Sequence, residues 1–259
     1  MSKLIAIDAG HGISPKGNGY KETPYIDGIG YIKEYTFNKA VAKFLDEALK
    51  RCGFKTIRTS QTDDDISLPK RCNIANNANA DIFISCHYNH SGQKHPNSPG
   101  ASGVETYYLI GLPSYGDTAR LAKTVHKHLL HSNLIKQKDR GVKTANFQVL
   151  RDTKMPAILI EYGFMDDEYQ NYLEAKAMID PNWQKERAEQ TAKGVCEYFG
   201  VKYVSPSGSK EDDKKTPSNS IYRVTVDGVH VGSFAVEENI LNIVKDKYKN
   251  SGKIVIEKV

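Results

Sequence analysis

The run Leu4-Ile5-Ala6-Ile7-Asp8-Ala9-Gly10-His11 is largely apolar and closes on the turn Gly10-His11-Gly12. That is the pattern of a buried strand delivering a histidine to a loop. Asp81-Ile82-Phe83-Ile84-Ser85-Cys86-His87 repeats it, with a histidine at its C-terminal end. Ala157-Ile158-Leu159-Ile160-Glu161 is a third run, ending in a carboxylate ahead of Tyr162-Gly163-Phe164. In an open sheet of parallel strands the C-terminal ends share one rim, and ligands bind there. Two histidines and a glutamate at three such ends are therefore expected to meet in space, as at the site of a metal hydrolase.

Outward from these runs, strands alternate with helical patterns. Residues 13–32 form a loop rich in Gly, Pro and Tyr, and Thr36 reads as an N-cap after Lys33-Glu34-Tyr35. Phe37, Val41, Phe44, Leu45 and Ala48 then recur at helical spacing until Gly53. Residues 54–58 read as a strand and 68–79 as a helix with Ile74 and Ala75 inward. A long polar loop, 88–102, follows His87; loops of that length are commonly functional. Residues 104–110 read as a strand, 115–130 as a helix, and 132–146 as a polar connection. After the strand that ends at Glu161 come two helices, 166–175 and 183–199. This rhythm predicts an α/β fold: a twisted, mostly parallel sheet flanked by helices.

The composition changes at residues 204–220, where Ser-Pro-Ser-Gly-Ser is followed by a charged run and Thr-Pro-Ser-Asn; this reads as a linker. The organisation is thus a large domain over 1–203, a linker over 204–220 and a small α+β unit over 221–259. In the small unit, 221–226 and 229–234 are strands joined by the hairpin signal Asp227-Gly228. Ile240, Leu241, Val244 and Tyr248 mark a helix and 253–257 a closing strand, giving ββαβ. Roughly 40 residues is marginal for an independent core, so a partner is expected: the main domain, another molecule or a second copy in a homodimer.

Composition narrows the function classes. With 259 residues, 39% hydrophobic and 26% charged, the chain is an ordinary globular sequence. No apolar run approaches the ~20 residues of a membrane helix. The N-terminus has one lysine, an interrupting Asp8 and no small-residue cleavage site. The expectation is a protein made in the cytoplasm without a signal peptide. The charge of +5 is mild and interleaved in sign, which suits an anionic polymer and gives no nucleic-acid signature. Cys52, Cys72, Cys86 and Cys196 lack C-x-x-C spacing and read as buried thiols. Strand alternation turns Cys86 away from the face of His87.

A catalytic zinc takes three protein ligands and keeps a fourth position for water. His11 and His87 are two candidates. For the third, Glu34 stands just before the first helix, Glu22 and Asp27 lie mid-loop, and His90 and His95 follow His87; Asp8 lies too far back along its strand. Glu161, in apolar surroundings, suits a general base or acid, because burial favours its neutral form. Glu105 reads as structural. Arg71 and Arg151 could anchor a substrate carboxylate but read more readily as surface or paired arginines.

Taken together, Ile-Asp-Ala-Gly-His-Gly around His11, Lys-Glu-Tyr-Thr-Phe-Asn around Glu34, Arg71, Ala75-Asn76, Ile-Ser-Cys-His-Tyr-Asn around His87, Gly103-Val-Glu-Thr-Tyr107 and Pro156-Ala-Ile-Leu-Ile-Glu-Tyr-Gly-Phe164 resemble one family. It is that of the zinc-dependent N-acetylmuramoyl-L-alanine amidases, and the resemblance runs from Lys3 to about Gly200. It implies zinc on His11, Glu34 and His87, with Glu161 as the catalytic carboxylate. It also implies hydrolysis of the amide between muramic acid and L-alanine in peptidoglycan. The insertion at 13–32 is longer than the family's usual form. The C-terminal unit is similar to modules of phage endolysins and Gram-positive autolysins, which implies binding to a cell-wall polymer. The whole looks most like a phage endolysin, acting on the wall after release. A sporulation or autolytic amidase, or a zinc peptidase or deacetylase acting on peptidoglycan, is the alternative.

Overall fold

A computed structural model describes residues 2–13, 21–92, 100–206, 222–227, 229–234 and 252–258. The chain divides into two compact units, 1–206 and 207–259. In the first, six strands form one sheet: β1 (Leu4–Ala9), β2 (Lys55–Arg58), β3 (Ile82–Asn89), β4 (Val104–Leu109), β5 (Asp139–Ala145) and β6 (Ala157–Phe164). Their order is β2-β1-β3-β6-β4-β5. All neighbours are parallel except β4 and β6, which pair antiparallel, so β4 and β5 run against the other four. The predicted α/β sheet is therefore present, with a reversed pair at one edge.

The helices are α1 (Glu34–Arg51), α2 (Leu68–Asn77), α3 (Asp117–Leu129), α4 (Gln148–Arg151), α5 (Leu173–Ala177) and α6 (Pro181–Phe199). Strand alternation sorts the core into two layers. Ile5, Ile7, Ile82, Ile84, Ile158 and Ile160 pack with Phe37, Val41, Ala122, Val125, Ala188 and Ala192 of α1, α3 and α6. Ala6, Phe83 and Leu159 face the other way, against Cys72 and Ala75 of α2 and Val149 and Leu150 of α4. Asp180 caps α6 by accepting from the Asn182 N–H (2.8 Å), Pro181 opens it, and Gly200 closes it at φ 66°. Trp183, the chain's one tryptophan, is fully buried in α6 with the Arg187 guanidinium 4.3 Å from its ring.

Several boundaries differ from the sequence reading. Helix α1 begins at Glu34, two residues before the expected Thr36 cap, with Lys33 at the cap position and no side-chain cap. The connection 132–146 contains strand β5, whose Asp-Arg-Gly-Val-Lys-Thr-Ala has no apolar alternation because it pairs with β4 alone, at the sheet edge. The predicted helix 166–175 is a 3-10 turn (Glu168–Gln170) and then α5, since Asn171 and Tyr172 adopt left-handed φ near 56°. Helix α2 buries Ala75 and leaves Ile74 half-buried.

The second unit holds three antiparallel strands in the order β8-β7-β9: β7 (Tyr222–Val226), β8 (Val229–Phe234) and β9 (Ile254–Lys258). Asp227 takes φ 49° after β7, as a two-residue hairpin turn requires. The helix expected over 240–248 and most of the linker lie outside the described residues. Among those residues, no helix is long and apolar enough to cross a membrane.

Candidate metal centre

Two glycine-permitted close approaches and one buried arginine build the loop after β1. A Cβ on Gly10 would lie 2.2 Å from the His87 ring, and one on Gly12 would lie 2.4 Å from the Asp65 backbone. His11 itself sits at φ 63°, a conformation that costs a non-glycine residue free energy unless its surroundings hold it. Arg71 supplies that hold. It is 1% exposed, donates from Nη2 to the His11 carbonyl (2.7 Å) and from Nη1 to the Ala9 carbonyl, and pairs with Asp8 at 2.8 Å. Thr59 and Ser85 donate to the same Asp8 carboxylate at 2.5 and 2.7 Å. Arg71 is thus a paired arginine, as one of its sequence readings has it, but a buried one and not at the surface. Asp8 is held by these partners and lies outside the His11–Glu34–His87 donor group.

Glu34 opens α1, so its carboxylate stands at a helix N-terminus, where negative charge is favoured. It is nearly completely buried and lies between the two imidazoles: His11 Nε2 is 3.0 Å from Oε2 and His87 Nδ1 is 3.0 Å from Oε1. The Tyr88 N–H (3.0 Å) and Asn38 Nδ2 (2.9 Å) also donate to Oε1, and Asn38 donates to the Gly10 carbonyl at 3.1 Å. The two histidine rings meet edge to face with centroids 4.9 Å apart. One donor atom from each of His11, Glu34 and His87 lies within 4.8 Å of the other two. Nitrogen and oxygen ligands held about 2.1 Å from a tetrahedral zinc stand about 3.4 Å from one another, so this donor set fits such an ion.

The charges are strongly linked. Burial opposes ionisation of Glu34, but hydrogen bonds and charge from His11 and His87 outweigh it and hold the carboxyl well below its usual range. Burial likewise opposes a charged His87, yet Glu34, with Glu161 and Asp8 behind it, raises the imidazole to about 9. Glu161 lies beside His87 in the β3–β6 register and opposite Glu105 in the β6–β4 register. Burial pushes it up to about 8; His87 opposes this, while Glu34 and Glu105 add to it. Its Oε2 is buried with no hydrogen-bond partner among the described residues. Glu105 differs, because Lys143 (2.8 Å), Arg140 and the Tyr107 hydroxyl all bind its buried carboxylate. It is the structural residue the sequence suggests.

The geometry also revises how the site is presented. Only β1 ends before its histidine. β3 continues to Asn89 and β6 to Phe164, so His87 and Glu161 lie within strands that stay paired through Asn89 and Phe164. Of the other candidates, Glu22 forms an isolated bridge with Lys33 and Asp27 is exposed; neither joins the cluster. His90 Nδ1 lies 3.4 Å from Asp166, and His95 is outside the described residues. Arg151 bonds Asn146 Oδ1 (2.8 Å) at the surface. Cys86 faces the opposite layer, 3.8 Å from the Tyr162 hydroxyl, and all four cysteines are buried free thiols. Asn38 closes the Lys-Glu-Tyr-Thr-Phe-Asn motif without a role assigned from sequence; its signal is its position four residues after Glu34 on one helix face.

Comparison with known proteins follows the same outline. The profile of a family described as N-acetylmuramoyl-L-alanine amidase matches residues 5–197. An endolysin of Bacillus phage SPP1 is 31% identical over 87% of this chain and 77% of its own length. A sporulation-specific N-acetylmuramoyl-L-alanine amidase of Bacillus subtilis is 31% identical over 91% of this chain and 76% of its own. Among solved structures, the catalytic domain of the amidase CwlV from Bacillus (Paenibacillus) polymyxa var. colistinus superposes with a TM-score of 0.63 at 31% identity. That match covers 77% of this chain and 99% of the CwlV chain.

Proposed function

The chain belongs to the N-acetylmuramoyl-L-alanine amidase family, and from that premise we propose that it is a zinc-dependent hydrolase of the amide joining N-acetylmuramic acid to L-alanine in peptidoglycan. The observation that carries the zinc assignment is the convergence of His11, Glu34 and His87 on one point beside an unpartnered, buried Glu161 oxygen. His11, Glu34 and His87 would hold the metal. Bound there, zinc supplies a Lewis acid and lowers the pKa of a water to near neutrality. Glu161 takes the proton from the attacking water and passes it to the leaving alanine nitrogen. Its apolar, strand-held setting keeps it a strong enough base to accept that proton. Asn38 and the Tyr88 N–H fix the Glu34 carboxylate, and Arg71 fixes the backbone of His11.

The biological reading we favour is lysis of a bacterial wall by a phage endolysin, supported by likeness to the SPP1 endolysin along most of both chains. The equal identity to a sporulation-specific amidase supports the second reading. The C-terminal unit is assigned to a cell-wall polymer, where tethering would raise the local concentration of the catalyst.

The deciding experiment is mass spectrometry of digested wall together with metal analysis. New L-alanine N-termini and about one zinc per chain are the expected result; cleavage elsewhere in the wall, or full activity in a strong chelator, would overturn the reading. Glu161→Gln is expected to keep zinc yet lose turnover by a factor on the order of 10³, whereas His87→Ala loses the metal. Clearing of vegetative walls when the enzyme is given access to them separates an endolysin from an enzyme that acts on spore peptidoglycan alone. A chain ending at Pro206 is expected to cut soluble fragments but to stop sedimenting with walls.

A further inference from the structure

The segment between the 14–20 stretch and α1 does more than connect. Its ends and inward side chains are fixed. Thr23 and Ile32 exchange hydrogen bonds at 2.9 Å, Ile26 and Gly30 pair at 2.8 and 3.0 Å, and the Glu34 N–H donates to the Lys21 carbonyl at 2.9 Å. Thr23, Ile26 and Ile32 are buried at 2–4% exposure. The same strap turns two aromatic rings outward: Tyr25 is 59% exposed and Tyr31 63%, with centroids 5.6 Å apart at 73°. Two large rings thus stand side by side on a hydrogen-bonded frame, neither buried in the core and both open to a partner that can stack on them.

Its place in the molecule indicates what it meets. Lys21, at the root of the strap, lines a cavity of about 250 Å³ together with Asp65, Ser67, Leu68, His11 and His87. Tyr31 is three residues from Glu34 and Tyr25 four from Lys21, so their Cα atoms lie within about 11 and 14 Å of those residues. In the sheet order, this cavity lies on the β1 side of His87 while Glu161 lies on the β6 side. If Glu161 hands its proton to the leaving amine, the peptide departs on the β6 side. The acyl half of the substrate, which carries the sugar, must then lie on the β1 side. The cavity is smaller than the ~300–1,000 Å³ of sites for drug-sized ligands, which suits one ring-sized unit. Lys21 and Ser67 bring hydrogen-bond donors of the kind that sugar hydroxyl and acetamido groups accept.

We infer that the Lys21–Lys33 strap and the cavity at its root form the saccharide subsite, with the muramyl ring in the cavity and the next sugar of the glycan strand against Tyr25 and Tyr31. The inference rests on the amidase reading for its orientation, and its test separates the two. The full chain carrying Glu161→Gln is mixed with a peptide-free N-acetylated amino-sugar oligosaccharide, and saturation-transfer NMR reads which ring protons contact protein. Ring-proton signals that disappear with Tyr25→Ala/Tyr31→Ala and persist with Tyr25→Phe/Tyr31→Phe are expected. In parallel, kcat/KM is measured for a muramyl-L-alanine peptide bearing an attached second sugar and for a lactyl-L-alanine peptide without any sugar. The alanine pair is expected to lower the ratio of the two values about tenfold, through KM, with zinc content retained. An equal fall on both substrates with loss of zinc would mean that the strap only supports Glu34, and an unchanged ratio would mean that the sugars lie elsewhere; either result overturns the subsite. Failure of the amidase reading registers separately, as wild-type protein that releases no amine from either peptide.

Discussion

Glu34 sits between two imidazoles, each 3.0 Å from one of its oxygens, and that placement sets the chemistry of everything around it. Its lowered pKa keeps a carboxylate, not a carboxylic acid, in the cluster at neutral pH. Glu161 is the opposite case: burial and two neighbouring carboxylates raise it to about 8, so that without metal it is mostly neutral at pH 7. The base form appears as pH rises through that pKa, and a bound cation, by adding positive charge nearby, moves it downward. The expected profile of kcat/KM therefore has an acid limb below about 8 that rises with pH, and Glu161→Gln should abolish the limb along with the rate. Asn38 acts through Glu34. Asn38→Ala removes donors to both Glu34 and the Gly10 carbonyl and is expected to weaken zinc affinity 10–100-fold, measured by competition with a chelating dye.

At the scale of elements, the site depends on β1 and β3 approaching more closely than side chains allow. Gly10→Ala places a methyl within the His87 ring, so zinc affinity and thermal stability are both expected to fall, while Gly53→Ala, in open space at φ 88°, should lower stability alone. Which parts of this were legible in the sequence follows from the same physics. Strands β1, β3 and β6 are buried on both faces and read as continuous apolar runs, so they and the His11, His87 and Glu161 that follow those runs stand out. Edge strand β5 buries no full face and carried no pattern. The left-handed pair Asn171–Tyr172 split a predicted helix without any glycine to mark it. Convergence of His11 with His87 followed from topology, but selection of Glu34 over Glu22 did not: it depended on where a strap of irregular backbone began α1. Arg71 is paired, as the sequence allows, but its burial is not legible there, because two of its partners are the backbone carbonyls of Ala9 and His11.

At the scale of the molecule, the first unit carries the sheet and the candidate metal centre, and the second carries a separate three-stranded sheet. A metal that binds the folded state alone stabilises the unit containing its ligands, by RT ln(1 + [L]/Kd). Removing zinc with a chelator is therefore expected to lower the melting temperature of the first unit and leave any transition of the second where it was, as calorimetry would record. The lone indole of Trp183, sealed inside α6 against Arg187, makes the two events separable by a simpler instrument. Its emission should shift to the red when residues 1–206 open, so fluorescence excited selectively at the indole reports on the first unit and not on Tyr222 or Tyr248 of the second. Whole-chain circular dichroism sees both, and the difference between the two melting curves isolates the C-terminal unit without cutting the chain.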